Sequence, residues 1–454
     1  MCVWPARISR RDLLAGSAAV GAFVLPGATA WARPPAQPLQ RQRHAKSVIV
    51  LLQEGGMSHL ESWDPKPDAP SEVRGSFTTI LTANPALTVS EHMPLLAQQA
   101  HLFNVVRSVY MDNARRDHSP GLHWVLTGYD NQAAGVGLEK TNRAPSVGSV
   151  VAHQLGGLTK AGLPNFATIP NSKQLGNRVS YTGALHLGAT CEPFDSGTVP
   201  ERADGHYSVP AGLVLPQDVS TRRLQDRKNL LLSMDLLKRD SDRRTNAGGL
   251  TGFQGKAFDL LVGRRGQQAF DLSLEPAKTR EAYGNSQMGQ GTLLARRLVE
   301  MGVSYVLVNY SKNNSWDTHS NNFDRLKKSL LPPMDQAASA LLVDLEQRGM
   351  LDDVLVLMMG EMGRTPKINK NSGRDHWPDV FSIMIAGGGL TQGQVLGGSS
   401  RLGETPGDRP VHYHEILATI YHQMGVDSNL VVNDNQDRPV RIMPEAELVG
   451  ELIG

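Results

Sequence analysis

The sequence predicts an α/β protein with a mainly parallel central sheet. Three observations carry this. Apolar and β-branched runs recur at KSVIVLLQ (46–53), VSYVLVNY (303–310), DVLVLMMG (353–360) and FSIMIAGG (381–388), without the polar alternation of a half-exposed strand. Helical patterns lie between or after them, at 288–302, 332–351 and 414–425. Loops rich in His, Asp and Glu adjoin the strand ends, where open α/β sheets build their sites.

From the amino end, Arg10 and Arg11 precede an apolar stretch rich in Gly and Ala, and Ala30-Trp31-Ala32 has the small-x-small form of a cleavage site. Residues 1–32 therefore read as a twin-arginine signal peptide, too short in apolar length for a membrane span. Residues 33–45, rich in Pro, Gln and Arg, read as a linker before a single domain at 46–454. Removing the signal takes away Arg7, Arg10, Arg11 and Asp12 and leaves 43 basic and 43 acidic residues. That balance excludes an electrostatic footprint for nucleic acid or an anionic membrane. Cys2 leaves with the signal, so Cys191 is alone and no intramolecular disulfide forms. The expected location is periplasmic or extracellular.

The helix at 332–351 begins with Pro332-Pro333 and has Gly349 near its end, as helix termini prefer. The Gly- and Pro-rich stretch 164–216 and the charged helix 217–244 break the strand–helix rhythm. Segment 165–285 accordingly reads as an insertion or cap, with the charged helix as a possible contact surface for another exported protein.

Five stretches could carry chemistry. The first strand runs into QEGGMSHLESWD (53–64), where Glu54 is a metal ligand or a solvated turn residue. Ser58 and His59 are adjacent and so point opposite ways in an extended segment. In DHSPGLHWVLTG (117–128), His118 opens a predicted helix; it is a site residue there, or Ser119 is merely the helix cap and His123 a packed side chain. WDTHSNN (316–322) places Asp317 and His319 two apart beyond a buried strand, as ligands or as a polar turn. MMGEMGRTPKIN (358–369) offers Glu361 as a ligand and Arg364 as an anion clamp, or the two as an ion pair. SGRDHWPD (372–379) repeats the Asp/His pairing with Asp375 and His376. His412 and His414 open a helix, where capping and packing account for them.

These residues carry a resemblance. LDDVLVLMMGEMG (351–363) resembles the strand of sulfatases and alkaline phosphatase-like enzymes that ends in a metal-binding acid, with Glu361 at that acid. HSPGLHWVLTG (118–128) resembles the sulfatase signature CxPxRxxLxTG: Pro120, Leu126, Thr127 and Gly128 match. His118 stands where the Cys that becomes formylglycine would be, and Leu122 where the Arg would be. WDTH resembles the superfamily's metal-binding Asp and His at closer spacing, and His376 its late metal-binding His. Gln53-Glu54 takes the first-strand acidic position. The mature chain as a whole resembles an uncharacterised family of exported bacterial proteins in this superfamily, abundant in planctomycetes and beginning with a twin-arginine signal.

The resemblance implies an alkaline phosphatase-like fold and a metal-dependent hydrolase of phosphate or sulfate esters or a related anionic substrate. Asp317, His319, Glu361, His376, Asp375 and Glu54 would hold a divalent metal, with Zn favoured by the imidazoles and Ca, Mg or Mn suiting carboxylates. Arg364 would clamp the anion. His118, with Ser119 one residue away, would act as nucleophile or acid–base group, unless metal-activated water attacks. The absence of the signature Cys and Arg departs from a conventional sulfatase. The alternative is a non-catalytic exported protein that binds an anionic polysaccharide.

Overall fold

Among the described residues nine strands form one sheet: β1 (Ser47–Leu52), β2 (Asn104–Tyr110), β3 (Phe166–Ile169), β4 (Phe194–Asp195), β5 (Tyr305–Asn309), β6 (Val354–Met359), β7 (Phe381–Gly387), β8 (Val395–Leu396) and β9 (Val411–His412). The computed structural model describes residues 43–453 apart from 113–115, 131–141, 174–180, 310–313 and most of 208–263. The expected signal peptide, nearly all of the linker and most of the charged helix 217–244 lie outside the described residues.

The order across the sheet is β8-β2-β7-β6-β1-β5-β3-β4, with β9 also paired to β2. All pairings are parallel except those of β7, which runs antiparallel to both β2 and β6. The expected mainly parallel α/β sheet is therefore what the chain forms.

The unalternated strands are explained by burial on both faces. Along β1, Ile49 and Leu51 enter one core cluster, while Val48, Val50 and Leu52 enter the other. In β6, Val354, Val356 and Met358 face the first core, and Leu355, Leu357 and Met359 the second. Helices cover both sides. Leu293, Leu294 and Leu298 of Gln287–Glu300, and Leu341, Leu342 and Leu345 of Leu331–Gln347, pack into the first core. The second receives α1 (His118–Thr127), α2 (Val147–Leu155) and the helix Tyr413–Gln423. Helix starts are capped locally: Ser286 accepts from the Gly289 amide, and His412 with Glu415 makes a capping box.

The segment expected as an insertion is partly core. Phe166–Ile169 is β3, paired with β5, and Phe194–Asp195 continues the sheet as β4. A four-residue strand such as FATI is too short for its apolar run to stand out from a Gly- and Pro-rich surrounding.

Leu357 is about fully buried on the second face. Replacing it with alanine removes packed methyl groups and leaves a cavity. Leu357→Ala is expected to lower unfolding free energy by about 2–5 kcal/mol in urea titration, with an unchanged m-value.

Candidate metal centre

The loops that leave the carboxyl edge of the sheet start level with one another. Leu52 of β1 lies beside Asn309 of β5 and Met359 of β6 in register. The chain beyond β5 carries Asp317 and His319, and the chain beyond β6 carries Glu361 and Arg364. From β2 the chain reaches α1, with Asp117 as N-cap and His118 as first helical residue. His376 comes just ahead of β7. Because β7 runs antiparallel to its neighbours, its beginning lies at the same edge as their ends.

Gly55 lets these loops close. Its φ is +112°, and an added Cβ would lie 2.4 Å from the amide nitrogen of Asp317, so only glycine fits. Its own N–H donates to the Glu361 carboxylate, at 2.9 and 3.1 Å from the two oxygens.

Three imidazoles are held by their Nδ1 atoms. His118 Nδ1 lies 2.6 Å from Glu361 Oε1, His319 Nδ1 lies 2.6 Å from Asp375 Oδ1, and His376 Nδ1 lies 2.8 Å from the Arg116 carbonyl oxygen. Each partner only accepts, so each Nδ1 carries the proton and donates. All three Nε2 atoms then turn toward Asp317. His118 Nε2 is 3.2 Å from Asp317 Oδ2; His319 Nε2 and His376 Nε2 are 3.1 and 3.3 Å from Oδ1, and 3.0 Å from each other. His118, Asp317 and His376 form a group able to hold a metal ion, and His319 stands on its more exposed side.

The donor set fits a small cation. His118 Nε2 is buried without a well-formed hydrogen bond. Two imidazole nitrogens and a carboxylate oxygen packed at 3.0–3.3 Å satisfy one another only through shared protons or a cation. Zn–N and Zn–O bonds of about 2.0–2.1 Å imply tetrahedral ligand–ligand edges of about 3.3 Å. The nitrogen-rich set suits Zn better than Ca or Mg, which take oxygen shells.

Asp317 is fixed from below. Arg364 is fully buried and spends its donors inward: Nε on the Gly56 carbonyl at 3.0 Å, Nη1 on Arg374 O at 3.3 Å, Nη2 on Asp317 Oδ1, Gly55 O and Trp316 O. Arg364 was expected to clamp an anion. Its N–H groups are instead taken by the protein, and it braces Asp317 against the Gly55 turn. Arg374 plays a parallel part. It is fully buried on Glu61, and also donates to Thr365 O at 3.0 Å and Val73 O at 2.7 Å. Asn322 donates to the same Glu61 at 3.2 Å, tying in the WDTHSNN loop.

Two expected ligands also change role. Glu361 is fully buried and committed to His118 and Gly55, and Asp375 is committed to His319 and to Asn369 Nδ2 at 3.1 Å. Both orient imidazoles. The alternative reading, a Glu361–Arg364 ion pair, does not hold either; the carboxylate that meets Arg364 is Asp317. His118, expected as nucleophile or acid–base group, points one nitrogen at Glu361 and the other at Asp317, so neither faces outward as a base.

Other candidates lie apart. Glu54 is buried at the end of β1 and accepts from Asn309 Nδ2 at 2.5 Å, outside the His118–Asp317–His376 group. Ser119 is buried in the first turn of α1, and no described contact brings its hydroxyl to the cluster. His123 is a satisfied core residue: Nδ1 meets Tyr129 O at 2.6 Å and Nε2 accepts from Arg143 N at 3.1 Å. His59 meets Gly403 O at 3.0 Å rather than Ser58. His414 bonds Gly128 O at 2.7 Å. Sequence reading missed the Arg116 carbonyl, the Glu61–Arg374 pair and the Gly55 amide. Backbone groups leave no residue-type signal, and Glu61 pairs with a residue 313 positions away.

Electrostatics follow from this packing. Burial would lower the His118 pKa, but Asp317 and Glu361 override it and push the imidazole up to about 10. A metal at Nε2 competes with that second proton, so binding releases it. Burial would raise the Asp317 pKa, yet His118, His376 and Arg364 hold it well below the usual carboxylate range.

The fold and cluster define an α/β protein with a His/Asp group able to hold a metal ion at the carboxyl edge of its sheet. A family model described as "Protein of unknown function (DUF1501)" matches residues 45–453, and the chain belongs to that family. No match to the sequence was found among curated proteins. Several solved structures align with most of the chain at low identity. One is a protein in the alkaline phosphatase superfamily from Vibrio parahaemolyticus, at 12% identity and TM-score 0.36, over 86% of this chain and 71% of that one. The phosphonate monoester hydrolase from Silicibacter pomeroyi shows 10% identity and TM-score 0.34, over 87% and 76%. The C-terminal periplasmic domain of EcEptC from Escherichia coli, in complex with Zn, shows 8% identity and TM-score 0.34, over 90% and 96%.

Removing one partner of a buried ion pair leaves the other charge unpaired. Glu61→Ala is expected to destabilise the protein by about 3–5 kcal/mol, measured by chemical denaturation. A second expectation concerns pH. A raised folded-state pKa gives stability that is complete below the unfolded histidine value, about 6.5, and lost as pH rises through about 10. In chelator-treated protein, Tm should fall across that interval, and His118→Gln should flatten the fall.

Proposed function

We propose that the protein is an exported, metal-dependent hydrolase of phosphate or sulfate esters. The observation that carries this reading is the convergence of His118, His319 and His376 Nε2 with the Asp317 carboxylate at 3.0–3.3 Å, at the sheet edge where open α/β sheets commonly carry their sites. These four residues would hold a divalent ion, Zn favoured. Bound there, the ion supplies Lewis-acid polarisation of an ester and activation of water near neutral pH.

The chain's own residues set the conditions for that chemistry. Glu361, Asp375 and the Arg116 carbonyl fix the imidazole tautomers and aim the nitrogens. Arg364 holds Asp317 ionised and immobile. The attacking group is water, since both His118 nitrogens are engaged within the cluster. Residues 1–32 supply the export signal, of the twin-arginine type that carries folded proteins. Among the described residues no helix is long and apolar enough to cross a membrane.

The test is metal analysis of the mature protein purified without chelator, beside a His118→Ala, His376→Ala variant. Near-stoichiometric Zn in the first and little in the second is expected, with Zn-dependent turnover of an aryl phosphate or aryl sulfate. A wild-type protein that takes up neither Zn, Mn, Mg nor Ca would sink the proposal.

A further inference from the structure

Burial of Arg364 and Arg374 leaves an anionic substrate without the cation first expected to receive it. Another arginine stands at the rim. The Arg116 guanidinium lies over the indole of Trp377, 4.1 Å from the ring centroid. Its Nη2 is 3.3 Å from Asp379 Oδ2, and the two side chains are 56% and 46% exposed. Both members of the stack adjoin the cluster. Trp377 follows His376, and Arg116 precedes His118 by two residues while its carbonyl accepts from His376 Nδ1. Trp377 is itself tethered, its indole N–H donating to Glu404 O at 2.7 Å.

We propose that Arg116, steadied on the face of Trp377, binds the tetrahedral oxyanion of the substrate beside the metal centre. The inference rests on the metal-hydrolase reading and supplies its specificity residue. A guanidinium presents several N–H groups in a fixed fork, and an aromatic face holds it without consuming them. One exposed carboxylate contact is a weak competitor, so a phosphate or sulfate group displaces Asp379 at little cost. The arginine also couples recognition to the metal group: its side chain meets the substrate while its backbone orients His376.

The test uses full-length mature protein loaded with Zn. Inorganic phosphate and, separately, sulfate are titrated by calorimetry. Arg116→Gln keeps the backbone carbonyl, so Zn content should be unchanged while oxyanion affinity falls about ten- to a hundredfold. Asp379→Asn should tighten binding by removing the competitor. Equal affinity in Arg116→Gln and wild type, or no binding of either anion by the Zn-loaded wild type, overturns the proposal. Failure to load Zn is a separate result, read from metal content, and overturns the reading beneath it.

Discussion

The site depends on one buried guanidinium. Arg364 lies beneath Asp317 and joins the turn after β1, through Gly55 and Gly56, to the loop after β5, through Trp316 and Asp317. A charge taken out of water is tolerable only when its donors are met, and here carbonyls from three segments meet them. The loops cannot separate without stranding that charge. Asp317 is thereby held where three imidazole nitrogens converge on it.

Around this brace the protein uses a repeated device. Each histidine gives its Nδ1 proton to a different kind of acceptor: buried Glu361, half-exposed Asp375, and a main-chain carbonyl. The result is the same in each case, a fixed tautomer with Nε2 directed inward. The Glu61–Arg374 pair and Gly55 do the equivalent for the backbone, pinning segments far apart in sequence. Much of the polar material near the sheet edge therefore positions other groups of the protein.

The fold was legible where burial on both faces produced long apolar runs, as at 47–52 and 354–359. It was hidden where strands were short, as at Phe166–Ile169 and Phe194–Asp195. At the site, His118, Asp317, His319 and His376 stood out because ionisable side chains beyond buried strands are unusual, and the structure brings all four together. Their roles were harder to read. Glu361 and Asp317 are both acids just past a strand, yet one orients an imidazole and the other faces the convergence point. Only the third dimension separates them. Arg364 changed role in the same way: the arginine in the conspicuous GRTP turn is buried, whereas Arg116, which no sequence motif singled out, is exposed beside Trp377.

The three histidines differ in shelter. His118 and His376 have side chains 9% and 15% exposed, whereas His319 is 46% exposed on its half-open partner Asp375. The cluster thus has two deep imidazoles and a shallow one. The side of the cluster that faces solvent is therefore the His319 side. The brace of Arg364 reaches Asp317 and the Gly55 turn but not that histidine, so the most exposed imidazole of the cluster is also the one furthest from its buried support.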